Sequence, residues 1–417
     1  MKKFIKTTVL LLIINSTFQI HYSFSQGGWI SQNSGTTNFL NSVSFINANT
    51  GTVVGGILDN ILRTTNGGTN WISQSGAIFY HLDGVSFTDS NTGTAVGLQG
   101  TILRTTNGGA NWTLQTSGTT EQLRGVSFTD LNNGTAVGGE GTILRTTNGG
   151  MNWNLQSHQS YSHLEDVFFT DITNGTAVGG DTAGALIKRT TNAGLNWNSQ
   201  TLVEVVSLNG VSFINANTGT VVGTLGTILR TTNGGINWIP QTSGTIKVLK
   251  SVCFTDANNG TAVGNEGTIL RTTNGGINWV LQISGTTVNL LDVIFTDANT
   301  GTAVGEYGII LRTTNGGVSF ISQIRSEIPK DFILHQNYPN PFNSQTTIEF
   351  DIKKKGDYSL VIYDCLGRKR DEVFNEYLNA GSYSVSFNGD ELQSGVYFYR
   401  LSADGNAVET RKMLLIK

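Results

Sequence analysis

The sequence predicts an all-β protein, a seven-bladed β-propeller followed by a small Ig-like β-sandwich, and three observations support this. A string close to "GTILRTTNGGANW" (Gly100–Trp112) occurs seven times along the chain. Glycine is abundant at 52 of 417 residues and proline scarce at 4, which suits short strands joined by tight turns. Apolar residues alternate with polar ones within each repeat, as in strands, and show no helical spacing.

One arginine in each repeat measures the period. Successive copies lie 41, 41, 44, 41, 41 and 41 residues apart, a length typical of a four-stranded propeller blade. Strands are expected at Leu123–Asp130, Gly134–Gly138 and Gly141–Thr146, with a fourth beginning at Trp153. Four strands in each of seven units leave no long sheet edge exposed. The arginines are Arg63, Arg104, Arg145, Arg189, Arg230, Arg271 and Arg312.

Two roles are open for these arginines. Each lies near an apolar Ile or Leu on a strand expected between blades, which favours a structural role such as stacking on an indole. The alternative is an arginine-lined patch that binds an acidic peptide.

A second repeated pattern joins the third and fourth strands. Its spacing, as in Thr105, Asn107, Gly109, Asn111 and Trp112, resembles the Asp box of sialidase-like propellers. Short polar side chains there can hold the turn, and the tryptophan is expected to pack as a wedge between blades. The repeated tryptophans are Trp71, Trp112, Trp153, Trp197, Trp238 and Trp279.

The closure of the ring can also be predicted. "GGWISQNSGTT" (Gly27–Thr37) matches Ile277–Thr287, so the mature chain begins with a fourth strand that has no blade before it. We expect the strand of Trp29 to complete the seventh blade. In the competing interpretation Val318–Gln323 fills that place, with Phe320 at the tryptophan position.

The repeats also resemble a known family. "GTAVGGEGTILRTTNGGMNW" is similar to the repeats of photosystem II stability and assembly factor propellers, over residues 26–323. The resemblance implies a seven-bladed, non-enzymatic, protein-binding ring.

After residue 323 the repeats end, and residues 324–336 are expected to form a linker. "NYPNPFNSQTTIEF" (Asn337–Phe350), "VIYDCLGR", "SGVYFYRL" and "RKMLLIK" resemble the type A sorting domain of the type IX secretion system. The resemblance implies recognition of residues 337–417 by an outer-membrane translocon and removal by its sortase. The sorting motif comprises Asn337, Tyr338, Pro339, Asn340, Pro341 and Phe342.

The N-terminal sequence and the net charge of the chain limit where the protein is located and which partners it can bind. Residues 1–25 read as a secretory signal with a basic start, an apolar centre and a small-x-small cleavage site, and no stretch is long enough to span a bilayer. The protein is therefore expected to be secreted or on the outer cell surface after periplasmic transit, and to be monomeric. The net charge of −3 and the lack of a basic run argue against nucleic acid as a partner.

Variable loops before the first strands, and variable hairpins after the second, are expected on one face of the ring. Their candidate binding anchors for a protein or glycan are Phe79, Tyr80, Tyr161, Glu306 and Tyr307. Exposed aromatic residues serve this purpose in many interfaces, although ordinary loop packing remains the alternative.

No catalytic residue, metal or cofactor is expected. A sialidase-like hydrolase needs three arginines converging on one carboxylate, and in the propeller only Arg124 lies outside the repeated positions. "TDANNG" segments such as that of Asp256 favour a plain Asx turn over a calcium loop. His158 and His163 have no evident third ligand, and nothing favours a bridge between Cys253 and Cys365.

Overall fold

A computed structural model describes residues 28–56, 61–74, 81–157, 162–181, 184–200, 207–317, 321–325, 327–389 and 392–417. These residues form nine four-stranded antiparallel sheets, seven from the repeats and two from the C-terminal part. The innermost strands of the seven repeat sheets contact one another in a closed cycle. The fold is therefore a seven-bladed β-propeller followed by a β-sandwich, and the predicted fold class is confirmed.

Blades 1 to 6 take their four strands consecutively from the chain, from β2–β5 to β22–β25, and blade 7 consists of β26, β27, β28 and β1. The strands of the ring are β1 (Ile30–Gln32), β2 (Leu40–Phe45), β3 (Gly51–Gly55), β4 (Ile61–Thr64), β5 (Ile72–Gln74), β6 (Leu82–Phe87), β7 (Gly93–Gly97), β8 (Ile102–Thr105), β9 (Thr113–Gln115), β10 (Leu123–Phe128), β11 (Gly134–Gly138), β12 (Ile143–Thr146), β13 (Asn154–Ser157), β14 (His163–Phe169), β15 (Gly175–Asp181), β16 (Gly184–Thr190), β17 (Asn198–Gln200), β18 (Leu208–Phe213), β19 (Gly219–Gly223), β20 (Ile228–Thr231), β21 (Ile239–Pro240), β22 (Leu249–Phe254), β23 (Gly260–Gly264), β24 (Ile269–Thr272), β25 (Val280–Gln282), β26 (Leu290–Phe295), β27 (Gly301–Gly305) and β28 (Ile310–Thr313).

The repeated sequence determines each blade locally. The second strand, for example Gly134–Gly138, is buried along its whole length, which explains its small and β-branched residues. Its first glycine is required because any side chain at Gly134 would collide with the phenyl ring of Phe128 on the first strand. Each apolar core, such as the cluster that joins Val54 to Leu103, contains residues of two neighbouring blades, so burial itself holds the blades together.

The N-terminal strand closes the ring. β1 pairs with β28 in the register Ile30 to Arg312, Ser31 to Leu311 and Gln32 to Ile310. This confirms the expectation for the strand of Trp29. The competing interpretation is wrong for the described residues 321–325, because they pair with a C-terminal strand instead; Phe320 lies outside the described residues.

The C-terminal part is a sandwich of two sheets, in the orders β29-β34-β31-β30 and β33-β32-β35-β36. Its strands are β29 (Ile321–Arg325), β30 (Ile333–Leu334), β31 (Gln345–Ile352), β32 (Gly356–Asp364), β33 (Lys369–Leu378), β34 (Gly381–Asn388), β35 (Gly395–Ala403) and β36 (Asn406–Leu415). One apolar core lies between the sheets and includes Phe350, Tyr358 and Tyr399, each fully buried.

The expected boundary at residue 323 and the expected linker 324–336 differ from the pairing. β29 crosses that boundary and pairs with β34, and β30 lies inside the expected linker and pairs with β31. Leu334 of β30 is fully buried in the sandwich core. Backbone pairing therefore assigns both short strands to the sandwich, and the burial of Leu334 adds to this for β30.

Across the described residues, no helix combines the length and the apolar character that crossing a membrane requires.

Candidate functional site

The antiparallel order of strands gives the ring two different faces. One face, here called the Asp-box face, carries the turns that follow the first and third strands of each blade. The opposite face, here called the hairpin face, carries the turns after the second strands and the loops that enter the first strands. The predicted site residues are divided between these two faces.

Each repeated arginine joins two blades near the Asp-box face. Nη1 of Arg104 donates to Thr94 Oγ1 at 2.7 Å in its own blade, and Nη2 donates to the carbonyl oxygen of Leu131 at 2.7 Å in the next blade. The guanidinium also lies 4.7 Å from the ring centroid of Phe128 in that next blade. The same set of contacts recurs at Arg63, Arg145, Arg189, Arg230, Arg271 and Arg312.

The expectation that an indole would be the stacking partner is wrong, because a phenylalanine from the next first strand lies over each guanidinium. Burial lowers the pKa of Arg104 from its ordinary value, since desolvation disfavours the charged form. Arg104 is 8% exposed. Two hydrogen bonds and the contact with a phenyl ring therefore hold this guanidinium within the framework, which favours the structural role over a peptide-binding one.

The tryptophans contact the same phenyl rings as the arginines. Trp112 meets Phe87 of its own blade edge to face, with the ring centroids 5.9 Å apart. The other repeated tryptophans Trp71, Trp153, Trp197, Trp238 and Trp279 make the equivalent contact. Trp29, from the N-terminal strand, makes it with Phe295 and so supplies the seventh copy.

A glutamine three residues after each tryptophan was missed by the sequence analysis. The Gln241 side chain accepts from Trp279 Nε1 at 3.1 Å and donates to the carbonyl oxygen of Gly275 at 3.2 Å, both in the next blade. This double contact also occurs for Gln32, Gln115, Gln200 and Gln282. The W-x-x-Q spacing, present seven times, was the available signal.

The Asp-box turns are stabilised by hydrogen bonds between their own side chains and their own backbone. Thr105 Oγ1 accepts from the amide of Gly109 at 2.9 Å, and Asn107 Oδ1 accepts from the amide of Asn111 at 2.9 Å. Gly108 and Gly109 have φ of 69° and 87°, as a turn of this shape requires. The turns after the first strands are Asx turns, since Asp256 Oδ1 accepts from two backbone amides. They are therefore turns of the framework, with their carboxylates directed at backbone groups.

The inner strands line a central channel with a cavity of about 350 Å³. Arg124 pairs with Glu165 at 2.6 Å, so the one non-repeated arginine binds a neighbouring blade. Residues equivalent to Arg124 in the other blades also line the channel: Asn41, Asp83, Glu165, Asn209, Lys250 and Leu291. No group of three or more metal-ligating side chains lies within the described ranges.

Two partly buried carboxylates in this channel were also missed. In five blades a serine or cysteine of the first strand accepts a hydrogen bond from the amide of a phenylalanine in the next blade, as Ser44 does from Phe87 at 3.1 Å. Blades 4 and 7 carry Phe168 and Ile294 at that position. There an aspartate two residues earlier takes over the connection between blades.

Asp166 accepts from the amide of Val211 at 2.9 Å, and Asp292 accepts from that of Val43 at 2.8 Å. Asp292 also accepts from the hydroxyl groups of Ser42 and Ser251. Burial raises the pKa of Asp166 to about 7, with a smaller contribution from the charge of Asp292. Burial also raises the pKa of Asp292.

The hairpin face carries the remaining candidates. Tyr307 sits in a left-handed turn with φ of 54° and is 66% exposed. Its ring meets Phe39 edge to face at 5.9 Å. Glu306 accepts from Asn289 Nδ2 at 3.1 Å. Phe79, Tyr80 and Tyr161 lie outside the described residues.

Non-glycine residues in the left-handed region recur in these turns. Gln99, Glu140, Leu225 and Glu266 have φ between 49° and 55°, in the place held by Tyr307 in blade 7. Such a conformation is unfavourable for side chains with a Cβ. His163, the first residue of β14, accepts from the amide of Glu140 at 3.4 Å and so supports one of these turns.

The sorting motif is divided between buried and exposed residues. Asn337 and Phe342 are each 2% exposed, whereas Tyr338 is 82% exposed. Asn337 donates to the carbonyl oxygen of Pro339 and to Thr346 Oγ1, and Asn340 Oδ1 accepts from the amide of Leu414 at 2.9 Å. The motif therefore ties the start of the sandwich to its last strand. It leaves one aromatic ring in solvent.

These contacts define the class of protein: an Asp-box β-propeller with a β-sandwich appended at its C-terminus. Residues 336–417 match the family of secretion system C-terminal sorting domains. Residues 190–283 match the family of the photosynthesis system II assembly factor YCF48. Both resemblances drawn from the motifs are confirmed.

Solved structures agree on the architecture. YCF48 from Cyanidioschyzon merolae is 20% identical, with a TM-score of 0.59 over 69% of this chain and 98% of that one. YCF48 bound to D1 peptide is 19% identical, with a TM-score of 0.60 over 70% and 98%. The WD40 propeller domain of Doa1 is 10% identical, with a TM-score of 0.57 over 69% and 96%. No curated protein sequence matches the chain.

Proposed function

We propose that this chain is a non-catalytic binding protein of the cell surface or the extracellular medium. In this proposal the propeller recognises a ligand with its hairpin face, and the type IX secretion system exports it by means of the C-terminal domain. The sorting-domain match supports the route of export. The ring is then the cargo, and residues of the sandwich are read by the translocon and the sortase.

One observation supports the binding role: the framework side chains contact neighbouring blades, whereas the hairpin face presents an exposed aromatic side chain, Tyr307. Arginine, tryptophan and glutamine of the repeat contact neighbouring blades. Tyr307 instead projects from a strained turn into solvent, supported by Phe39 and beside Glu306. Exposed aromatic side chains on rigid turns provide contact area at low conformational cost.

A peptide is the ligand class that we favour. A related propeller of the same architecture has been solved with a peptide bound, and a tyrosine with a neighbouring carboxylate suits a backbone amide or a basic side chain. A glycan is the alternative, since aromatic faces also stack on sugars. The residual acidic charge of the chain disfavours nucleic acid.

The test is a screen of the purified protein against peptide and glycan arrays, followed by titration of each hit. We expect Tyr307→Ala and Phe39→Ala to weaken a selective hit at least tenfold, and Tyr80→Ala and Tyr161→Ala to act similarly. The control is Ile236→Ala on the Asp-box face, where Ile236 is 80% exposed. It removes an exposed apolar side chain that lies outside the proposed surface.

Two outcomes would replace this proposal. Binding to nothing on either array would favour a structural adhesin or scaffold in which no face is selective. Turnover of a glycoside would favour a hydrolase, which needs arginines free to meet a carboxylate.

A further inference from the structure

The chain contains two segments fit for one position in the ring. Residues 29–32 read Trp-Ile-Ser-Gln, and residues 320–323 read Phe-Ile-Ser-Gln. Blade 1 uses the same string, Trp-Ile-Ser-Gln at 71–74, as its own fourth strand. The pairing of β1 with β28 in blade 7 repeats the blade 1 register residue for residue.

The turn that delivers a fourth strand is also complete in blade 7. Thr313 Oγ1 accepts from the amide of Gly317 at 2.8 Å and lies 2.9 Å from Asn315 Oδ1, as in the other blades. In six blades the chain continues from this turn into its own fourth strand. In blade 7 it continues to residues 321–325, which pair with β34 of the sandwich.

We propose that the segment of residues 321–323 is a second, weaker occupant of the fourth-strand position of blade 7, and that its pairing with the sandwich keeps it from that position. The ring then has two alternative closures. One uses the N-terminal strand, and the other uses the segment that directly follows β28. Pairing with β34 selects the first.

The N-terminal strand is the better occupant on chemical grounds. Trp29 donates to Gln282 Oε1 at 2.9 Å, and a phenylalanine in its place has no N–H group to donate. The residues after β1 also fit the blade, because the loop at Ser34 and Thr36 packs under the hairpin glycine Gly308. The chain after residue 323 reads Ile-Arg-Ser and lacks this loop sequence.

The second segment has the advantage of position. It follows Gly317 directly, so its docking closes only a short loop, whereas the N-terminal strand closes a loop of the whole ring. β29 is an edge strand of the sandwich and pairs with β34 alone, so its release breaks one ladder of backbone pairs. A ring without its sandwich would therefore have two strands competing for one position.

A reversible disulfide tests this in the full chain. Ser322 pairs with Ser384 across β29 and β34, so Ser322→Cys with Ser384→Cys pins the segment to the sandwich when oxidised and frees it when reduced. Cys365→Ser removes the exposed native thiol. Trp29→Ala in this background weakens the N-terminal occupant.

We expect Trp29→Ala to lower the melting temperature at least twice as much in the oxidised protein as in the reduced protein. Phe320→Trp, added to Trp29→Ala, should recover at least half of the loss in the reduced form alone. The matched control is Trp238→Ala in blade 5, whose loss should not depend on the redox state beyond that of its parent. Equal losses for Trp29→Ala in both states, together with no recovery by Phe320→Trp, would overturn the proposal.

Discussion

At the scale of single residues, the arginine and the glutamine of the repeat each bind a neighbour in the next blade. The guanidinium of Arg104 binds a carbonyl oxygen and covers a ring, and the amide of Gln241 binds an indole and a carbonyl oxygen. Buried polar groups of this kind stabilise only when they are satisfied. Their removal should therefore cost more than the loss of one hydrogen bond.

The indole can be tested in two steps at Trp279, which is 9% exposed. Trp279→Phe keeps most of the apolar contact but leaves Gln241 Oε1 without its donor, so we expect a loss of about 1–3 kcal/mol in the free energy of unfolding. Trp279→Ala should cost about 3–5 kcal/mol. Urea denaturation followed by intrinsic fluorescence measures both.

The exposed Tyr307 provides the control for this pair. Tyr307→Ala should stay within about 0.5 kcal/mol of the parent protein, as surface substitutions usually do. If Trp279→Phe were as stable as the parent, the hydrogen bond to Gln241 would have no part in joining the blades.

The carboxylate of Asp166, which is partly buried in the central channel, leads to a prediction about pH. Its pKa is raised to about 7 in the fold, against about 3.9 in an unfolded chain. The folded protein therefore binds the proton more tightly, and the stability gained from it is complete below about pH 4 and is lost as the pH rises through about 7. Asp166→Asn should remove this contribution.

The measurement is the melting temperature of both proteins from pH 5 to 7.5. We expect the parent to lose stability relative to Asp166→Asn as the pH rises. Asp171→Asn is the control, because hydrogen bonds from Thr173 and Asn174 keep the pKa of that exposed carboxyl well below this range. Parallel curves for the parent and Asp166→Asn would show that Asp166 does not titrate here.

Sequence patterns predicted the residues of the framework better than their partners. The tryptophan wedge followed from its repetition, but the partner of each arginine depends on how one blade is placed against the next. Gln241 was overlooked because a glutamine on an outer strand is usually solvated. The roles of Asp166 and Asp292 appear only when the serine missing at Phe168 and Ile294 is compared across the ring.

At the scale of elements, hairpins and ring closure were predictable because they depend on local order and on internal matching. Glycine turns, alternation and the 41-residue period located the strands of a blade. The strands of the sandwich were less predictable from the sequence. β33 has no alternating apolar pattern to indicate it, since half of its residues from Lys369 to Leu378 are charged, a composition typical of an edge strand.

The closing strand gives a prediction at this scale. Deleting Gly28–Thr36 from the full chain removes β1 and leaves β28 with an unpaired edge. We expect the melting temperature to fall by roughly 10 °C or more, since the ring loses a strand, the Trp29 wedge and the contact with Gln282. Scanning calorimetry of the deleted and parent proteins measures the change.

Substitutions in the same N-terminal segment provide the control for this deletion. Replacing Asn33 and Asn38, which lie in the loop, by serine keeps the strand and should change the melting temperature by no more than about 1–2 °C, or about 0.5 kcal/mol. An unchanged melting temperature for the deletion would contradict closure by β1.

At the scale of the whole molecule, the framework is predictable and the ligand is not. A repeated sequence defines a repeated interface, and seven of these define the ring. The ligand depends on loops that do not repeat, and three of the candidate anchors there, Phe79, Tyr80 and Tyr161, lie outside the described residues. The repeated residues determine the stability of the ring, whereas the residues that would recognise a ligand differ from loop to loop.

The C-terminal sandwich begins earlier in the chain than the sorting-domain match does. The family match starts at residue 336, but β30 (Ile333–Leu334) pairs with β31, and Leu334 is fully buried in the sandwich core. The amide of Leu334 also donates to Glu409 Oε2 at 2.9 Å. A sandwich that starts after β30 therefore lacks a core side chain and an edge pairing.

We expect a carrier protein fused to residues 327–417 to show a sandwich about 2–5 kcal/mol more stable than one fused to 337–417, as the loss of a buried leucine implies. Export of the longer fusion to the cell surface should be correspondingly more efficient. Leu334→Ala in the longer fusion is the control, because it removes the side chain and keeps the backbone pair. It should account for most of the difference, and equal stability of all three fusions would place the start of the folded unit after β30.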